Sequence, residues 1–133
     1  MKSKAFLILC FLIATVFLMS GFMPQPATKR YVNLKVLPKD ISKDELDSVM
    51  DGFKTALGVK CGFCHAPKKD DPKRLDFASD AKEEKETARM MMKMTAKLNK
   101  KYFHVKDANV PNVVLAVNCI TCHRGNTDPK KIN

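Results

Sequence analysis

The pentapeptide Cys-X-X-Cys-His occurs twice in the 133-residue chain, as Cys61-Gly62-Phe63-Cys64-His65 and as Cys119-Ile120-Thr121-Cys122-His123. Four of the five cysteines and two of the three histidines therefore sit in these two stretches. Two thiols at this spacing can add to the two vinyl groups of one porphyrin, and the adjacent imidazole then lies beneath the iron as its proximal ligand. The pattern predicts two c-type haems, bound through Cys61, Cys64, Cys119 and Cys122, with His65 and His123 as iron ligands. Three other chemistries use paired cysteines. A zinc ribbon needs its two knuckles close together; here 54 residues lie between them, and a histidine after each pair would be redundant. A thioredoxin-like dithiol needs a preceding strand and one site per domain. Two structural disulfides would give no reason for the repeated histidine.

A proximal histidine leaves the other side of each iron to be filled or left open. Thioether sulfur favours the reduced state, imidazole gives lower potentials, and an open position allows ligand or peroxide chemistry. Beyond Met1, Met19 and Met23, the methionines are Met50, Met90, Met91, Met92 and Met94, all ahead of a motif on predicted helices. A methionine on an apolar helical face is more often core than ligand, so the residues alone leave the choice among these five open.

Two helices must position these groups. Ser42 and Glu45 have capping-box spacing, Ile41 and Leu46 have staple spacing, and Leu46, Val49, Met50, Phe53 and Leu57 recur at helical intervals up to a stop at Gly58. Residues 66–78 read as a charged loop. A second helix is expected to start near Ser79-Asp80, with Asp80 and Glu83 as its capping box, and to run to about Lys101. Asn109 and Pro111 mark a turn, and Val113 to Val117 lead into the second motif. Ahead of the first helix, Pro24 to Pro38 reads as a linker, with its apolar stretch of Tyr31, Val32, Leu34, Val36 and Leu37 expected to lie extended. The two halves share a plan of helix, connection and Cys-X-X-Cys-His, a weak repeat whose period of 58 residues is set by Cys61 and Cys119. The fold class is mainly α: two helix-then-motif units with much irregular structure.

The N-terminus has a different character. Basic Met1 to Lys4 precedes an uncharged apolar run from Ala5 to Met23, so residues 1–27 read as a signal peptide or an N-terminal membrane anchor, with a single domain over 28–133. Either reading places the domain in the periplasm or on the outer face of the cytoplasmic membrane, where c-type haems are attached. The formal net charge is +10, from 24 Lys and Arg against 14 Asp and Glu. Nucleic acid is not the expected partner: the lysines are scattered, not interleaved with aromatic residues. A basic surface suits redox donor and acceptor proteins with acidic docking faces. About 106 residues bury only a modest core, so two porphyrins would supply much of the missing apolar area.

From about Val32 to Gly125 the chain resembles the tetrahaem cytochrome subunit of photosynthetic reaction centres. The matching pieces are Asn33-Leu34-Lys35-Val36-Leu37, Met50 eleven residues before Cys61, Phe77-Ala78-Ser79-Asp80, the run from Ala88 to Thr95, Leu98-Asn99, and Val117 to Gly125. In that family the helix before each motif lies along the haem plane and donates an axial methionine to most haems. The resemblance implies Met50 as ligand of the first iron and Met91 of the second, with Met94 the next choice. A histidine near His104 ligates a haem of the other half in that family. Here it implies either a surface residue, a replacement for Met91, or a ligand reaching a neighbouring subunit. The chain departs from the family in having two motifs, not four.

Together these readings describe a dihaem, extracytoplasmic carrier of single electrons and not an enzyme, since no motif places a general acid, base or nucleophile. The alternatives are a haem enzyme or sensor with one open iron site, of the dihaem peroxidase kind, and a subunit of a polymeric haem assembly.

Overall fold

A computed structural model describes residues 31–108, 111 and 113–129. The 1–27 segment lies outside the described residues. Among those described, no helix is long and apolar enough to cross a membrane.

Helix α1 spans Lys43–Leu57 and is fixed at both ends. The Ser42 hydroxyl accepts from the Glu45 amide at 3.2 Å, and the Glu45 carboxylate accepts from the Ser42 amide at 3.1 Å, closing the reciprocal box that the spacing predicts. Ile41, the staple residue before the cap, is buried. Gly58 ends the helix in the left-handed region at φ 68°, its amide donating to the Lys54 carbonyl at 2.8 Å. Only a residue without a side chain adopts this conformation without strain.

A single 3-10 turn, Cys61–Phe63, carries the first motif. The segment read as a loop then folds into a small hairpin. Strand β1 (Ala66–Pro67) pairs antiparallel with β2 (Leu75–Asp76), with Ala66 opposite Asp76. The reversal brings Phe77 edge-on to His65, ring centroids 5.0 Å apart. Two-residue strands carry too few alternating positions to show in a pattern.

Helix α2 spans Glu83–Tyr102, starting three to four residues later than expected. Its N-cap is Lys82, which makes no side-chain cap, and Glu83, Glu84 and Glu86 in the first turn with Lys100 and Lys101 in the last complement the helix dipole. Asp80 is taken by other partners. Its carboxylate accepts from Asn33 Nδ2 at 2.8 Å, pairs with Lys35 at 2.8 Å and Arg89 at 2.9 Å, and lies 3.4 Å from Lys85. The segment read as an extended linker is a turn and bend instead, with Asn33 in the left-handed region at φ 71°. Its bends let Asn33 bond Asp80 and the Ala78 carbonyl while its own carbonyl accepts from buried Arg89 at 3.1 Å. This N-terminal strap is thereby tied to α2.

Helix α3, Cys119–His123, holds the second motif. Asn118 and Thr121 cap it reciprocally, the Asn118 side chain accepting from the Thr121 amide at 3.2 Å and Thr121 Oγ1 from the Asn118 amide at 3.1 Å. Arg124 follows in the left-handed region. Among the described residues the buried apolar side chains are Ile41, Ala56 and Ala96 alone, and the buried polar ones are Arg89 and Asn99. The polypeptide core is thin.

The Asp80 hub gives a pH-dependent prediction. Lys35 above all, with Asn33, Arg89 and Lys85, holds its carboxyl well below the usual carboxylate range. A depressed folded-state pKa contributes stability that is complete above the unfolded value of about 3.9 and disappears as pH falls through the folded one. Asp80→Asn should therefore melt below the wild type at pH 7, and the gap should close progressively under pH 4 (roughly the unfolded carboxylate value). Thermal melts of both proteins across that range check it.

Candidate haem site

Helix α2 presents adjacent residues to different surroundings. Arg89, Met92, Ala96 and Asn99 fall on one stripe, of which Arg89, Ala96 and Asn99 are buried. One position earlier in each turn, Ala88, Met91, Thr95 and Leu98 line a cleft of about 550 Å³. From α1 the cleft takes Phe53 and Leu57; from the first motif, Phe63 and Cys64; from the second, Cys119, Cys122 and His123. Its size lies in the range that encloses organic cofactors.

The cleft thus gathers four of the predicted site residues from the second set, Met91, Cys119, Cys122 and His123, and one from the first, Cys64. Met50, Cys61 and His65 do not line it. Met50 is half-buried on α1, at i−3 and i−7 from Phe53 and Leu57, which do. Of the clustered methionines, Met91 lies within the cleft stripe, Met94 borders it, Met92 also touches it from the buried stripe, and Met90 is off it. His104 is exposed just past the end of α2, at φ 56°.

The two histidines differ in their second nitrogen. His123 Nδ1 lies 2.9 Å from the Asn126 carbonyl. A carbonyl can only accept, so this contact puts the proton on Nδ1 and leaves the Nε2 lone pair free to coordinate. His65 Nδ1 is buried, with no hydrogen-bond partner among the described residues. Burial, helped by Lys85, pushes the His65 pKa down and favours the neutral, coordinating form of the ring. Burial likewise pushes the Cys64 thiol up, with Glu84 adding to the effect, and raises Cys119. All four motif cysteines are free thiols. Among the described residues no three Cys, His, Asp or Glu side chains converge on a point that could hold a metal ion, so the two cysteine pairs do not build a shared zinc centre. Free thiol pairs, an imidazole with Nε2 available, a nearby thioether and an apolar cleft fit a covalently held porphyrin.

Asn99 positions the second motif. This fully buried amide donates to the Val117 carbonyl at 2.6 Å and the Thr95 carbonyl at 2.9 Å, and accepts from the amides of Ala116 at 2.8 Å and Val117 at 3.1 Å. It gives the irregular approach to Cys119 the partners a strand would supply, and because its stripe is buried its amide must be satisfied there. Asn99→Leu keeps the branched side-chain shape and leaves backbone groups of residues 116 and 117 unpaired. At 1–3 kcal/mol for each unsatisfied buried group, the loss should be about 3 kcal/mol or more, read as a lower denaturant midpoint.

Comparison with known proteins agrees with this chemistry. The family model for the photosynthetic reaction centre cytochrome C subunit matches residues 20–133. The photosynthetic reaction center cytochrome c subunit of Thermochromatium tepidum is 33% identical over 107 residues, 78% of this chain and 23% of that protein. The protein of the same name from Rubrivivax gelatinosus is 36% identical over 73 residues, 54% of this chain and 16% of that protein. The chain spans less than a quarter of the length of these curated relatives in the matched stretches.

Proposed function

This chain belongs to the photosynthetic reaction centre cytochrome c subunit family, which implies covalently bound haem, and from that premise we propose that it is a dihaem c-type carrier of single electrons working outside the cytoplasm. The observation that carries the reading is the cleft that gathers Cys119, Cys122, His123 and Met91. Bound haem supplies a one-electron Fe(III)/Fe(II) couple. The chain supplies the rest. Cys119 and Cys122 hold one porphyrin and Cys61 and Cys64 the other. His123, oriented by the Asn126 carbonyl, offers Nε2 to the second iron, and His65 does so for the first. Met91, which lies in the cleft stripe with Ala88, Thr95 and Leu98, would supply a thioether to the second iron. Met50 takes the same role at the first. Phe53, Leu57 and Phe63 keep water from the cleft, lowering the local dielectric. Residues 1–27 export the domain or anchor it to the membrane. The protein is not an enzyme in this reading: its groups bind and orient, and none acts as acid, base or nucleophile.

Intact mass should exceed the polypeptide by two haems, and spectra should show two six-coordinate, low-spin irons. A bare-chain mass defeats the proposal; high-spin signal or rapid carbon monoxide binding to the reduced protein would favour the enzyme or sensor alternative. Met91→Ala should lower the potential of the second haem only, in a redox titration. The same shift from Met94→Ala, with none from Met91→Ala, would reassign the ligand.

A face of α2 suggests where a partner docks. Lys93, Lys97 and Lys100 stand at i, i+4 and i+7, with Lys101 and Met90 beside them, and no acidic residue follows Glu86 on the helix. Among the described residues none of these lysines is in a salt bridge, whereas Lys35, Lys43, Lys54 and Lys85 all are. Met94 joins this face to the cleft. The proposed occupant is an acidic redox protein. Charge reversal at Lys93, Lys97 and Lys100 together should slow electron exchange with an acidic protein partner at low salt by tenfold or more, about 1.4 kcal/mol in barrier terms, and reversal of Lys68, Lys69 and Lys73 in the hairpin should do less. Equal effects would make net charge, not this face, responsible.

A further inference from the structure

The end of α1, which introduces the first motif, is bonded to the turn that closes the second. The Gly125 amide donates to the carbonyl of buried Ala56 at 2.9 Å. Gly58 lies directly against this junction: a side-chain carbon there would overlap the Gly125 carbonyl oxygen and crowd its carbonyl carbon at 3.1 Å. One peptide further on, the Asn126 carbonyl faces His123 Nδ1, and the Asn126 amide donates back to the His123 carbonyl at 3.0 Å. A short path therefore runs from Ala56 through Gly125 and Asn126 to the ring of His123. Among the described residues nothing equivalent reaches His65, whose Nδ1 has no partner there.

We propose that Gly58, although it belongs to the first unit, is a positioning residue for the proximal histidine of the second, keeping the Gly125–Asn126 turn close enough to α1 for its carbonyl to orient and polarise His123. The proposal rests on the haem reading above. Its physical content is the hydrogen bond to Nδ1, which fixes ring orientation and makes the imidazole a stronger donor through Nε2. A stronger donor stabilises the oxidised iron, so this contact holds the second site at a lower potential than it would otherwise have. The first site receives no such contribution from its proximal side. The tuning of one iron thus depends on a residue that follows the helix of the other.

The test begins with the wild-type holoprotein. In the reduced protein labelled with ¹⁵N and ¹³C, the His123 Nδ1–H should show coupling through its hydrogen bond to the Asn126 carbonyl, while the His65 Nδ1–H shows none. Coupling at both histidines, or at His65 alone, overturns the asymmetry. Gly58→Ala is then compared with Gly52→Ala, where an added carbon meets nothing within 4 Å. Gly58→Ala should raise the second-site potential and abolish the His123 Nδ1–H coupling to the Asn126 carbonyl while the first-site potential moves less; Gly52→Ala should leave the second site unchanged. A shift confined to the first site, or no shift in a folded Gly58→Ala protein, overturns the proposal. If Gly58→Ala does not fold, Gly58→Asn, which tolerates the left-handed backbone and adds the same side-chain carbon, is read in its place with the same expected shifts. Two haems by mass with the wrong asymmetry defeat this inference and leave the carrier reading standing; absence of haem defeats both.

Discussion

The cleft has to stay open against a chain that buries almost nothing apolar. Ile41, Ala56 and Ala96 are small or peripheral, and at roughly 25 cal/mol per Å² they cannot hold three helices in register. Directional polar contacts carry much of that task. Asn99 fastens the second motif's approach to α2, Arg89 and Asp80 fasten the N-terminal strap to the same helix, and the Ala56–Gly125 bond fastens α1 to the end of α3. The contacts of buried Asn99 and Arg89 are costly to leave half-made, so together with the others they define one geometry. Phe53, Leu57, Met91 and Leu98 are thereby left lining the cleft.

Helix α1 was legible because its signals were local and agreed: cap, staple, periodic face and glycine stop all describe the same segment. Helix α2 was legible in its body and misread at its start. Asp80 and Glu83 have the spacing of a capping box, but a carboxylate offered two lysines, an arginine and an asparagine side chain is worth more to the fold than one capped amide. Those partners include Asn33 and Lys35, more than forty positions away, so no window along the chain contains the competition. The strap was misread for the same reason: its conformation is set by what it reaches, not by its own apolar residues. The hairpin is too short to have a period.

At the site, the cysteines and histidines were legible because a pentapeptide fixes their mutual geometry. The methionine cluster was not decided by spacing, since Met94 shares a face with Met90 at i, i+4 and with Met91 at i, i+3. Ala88, Met91, Thr95 and Leu98 have helical spacing in the sequence, and the burial of Arg89, Ala96 and Asn99 is what leaves that stripe on the cleft. Asn99 had one usable signal, an amide in register with core positions, which demands partners wherever it is buried. The Asn126 carbonyl and the Gly58–Gly125 contact had none, being backbone features that any residue type at 126 would supply and that only glycine at 58 permits.

The strap also sets where the rest of the polypeptide leaves the domain. Asn33 and Lys35 are pinned to Asp80 and Arg89, at the N-terminal end of α2, while Lys97, Lys100 and Lys101 lie at the other end of a 20-residue helix. At 1.5 Å per residue these ends are roughly 20–30 Å apart. The strap is therefore held at the tip of α2 remote from the lysine-bearing end, so the two ends of one helix serve different attachments.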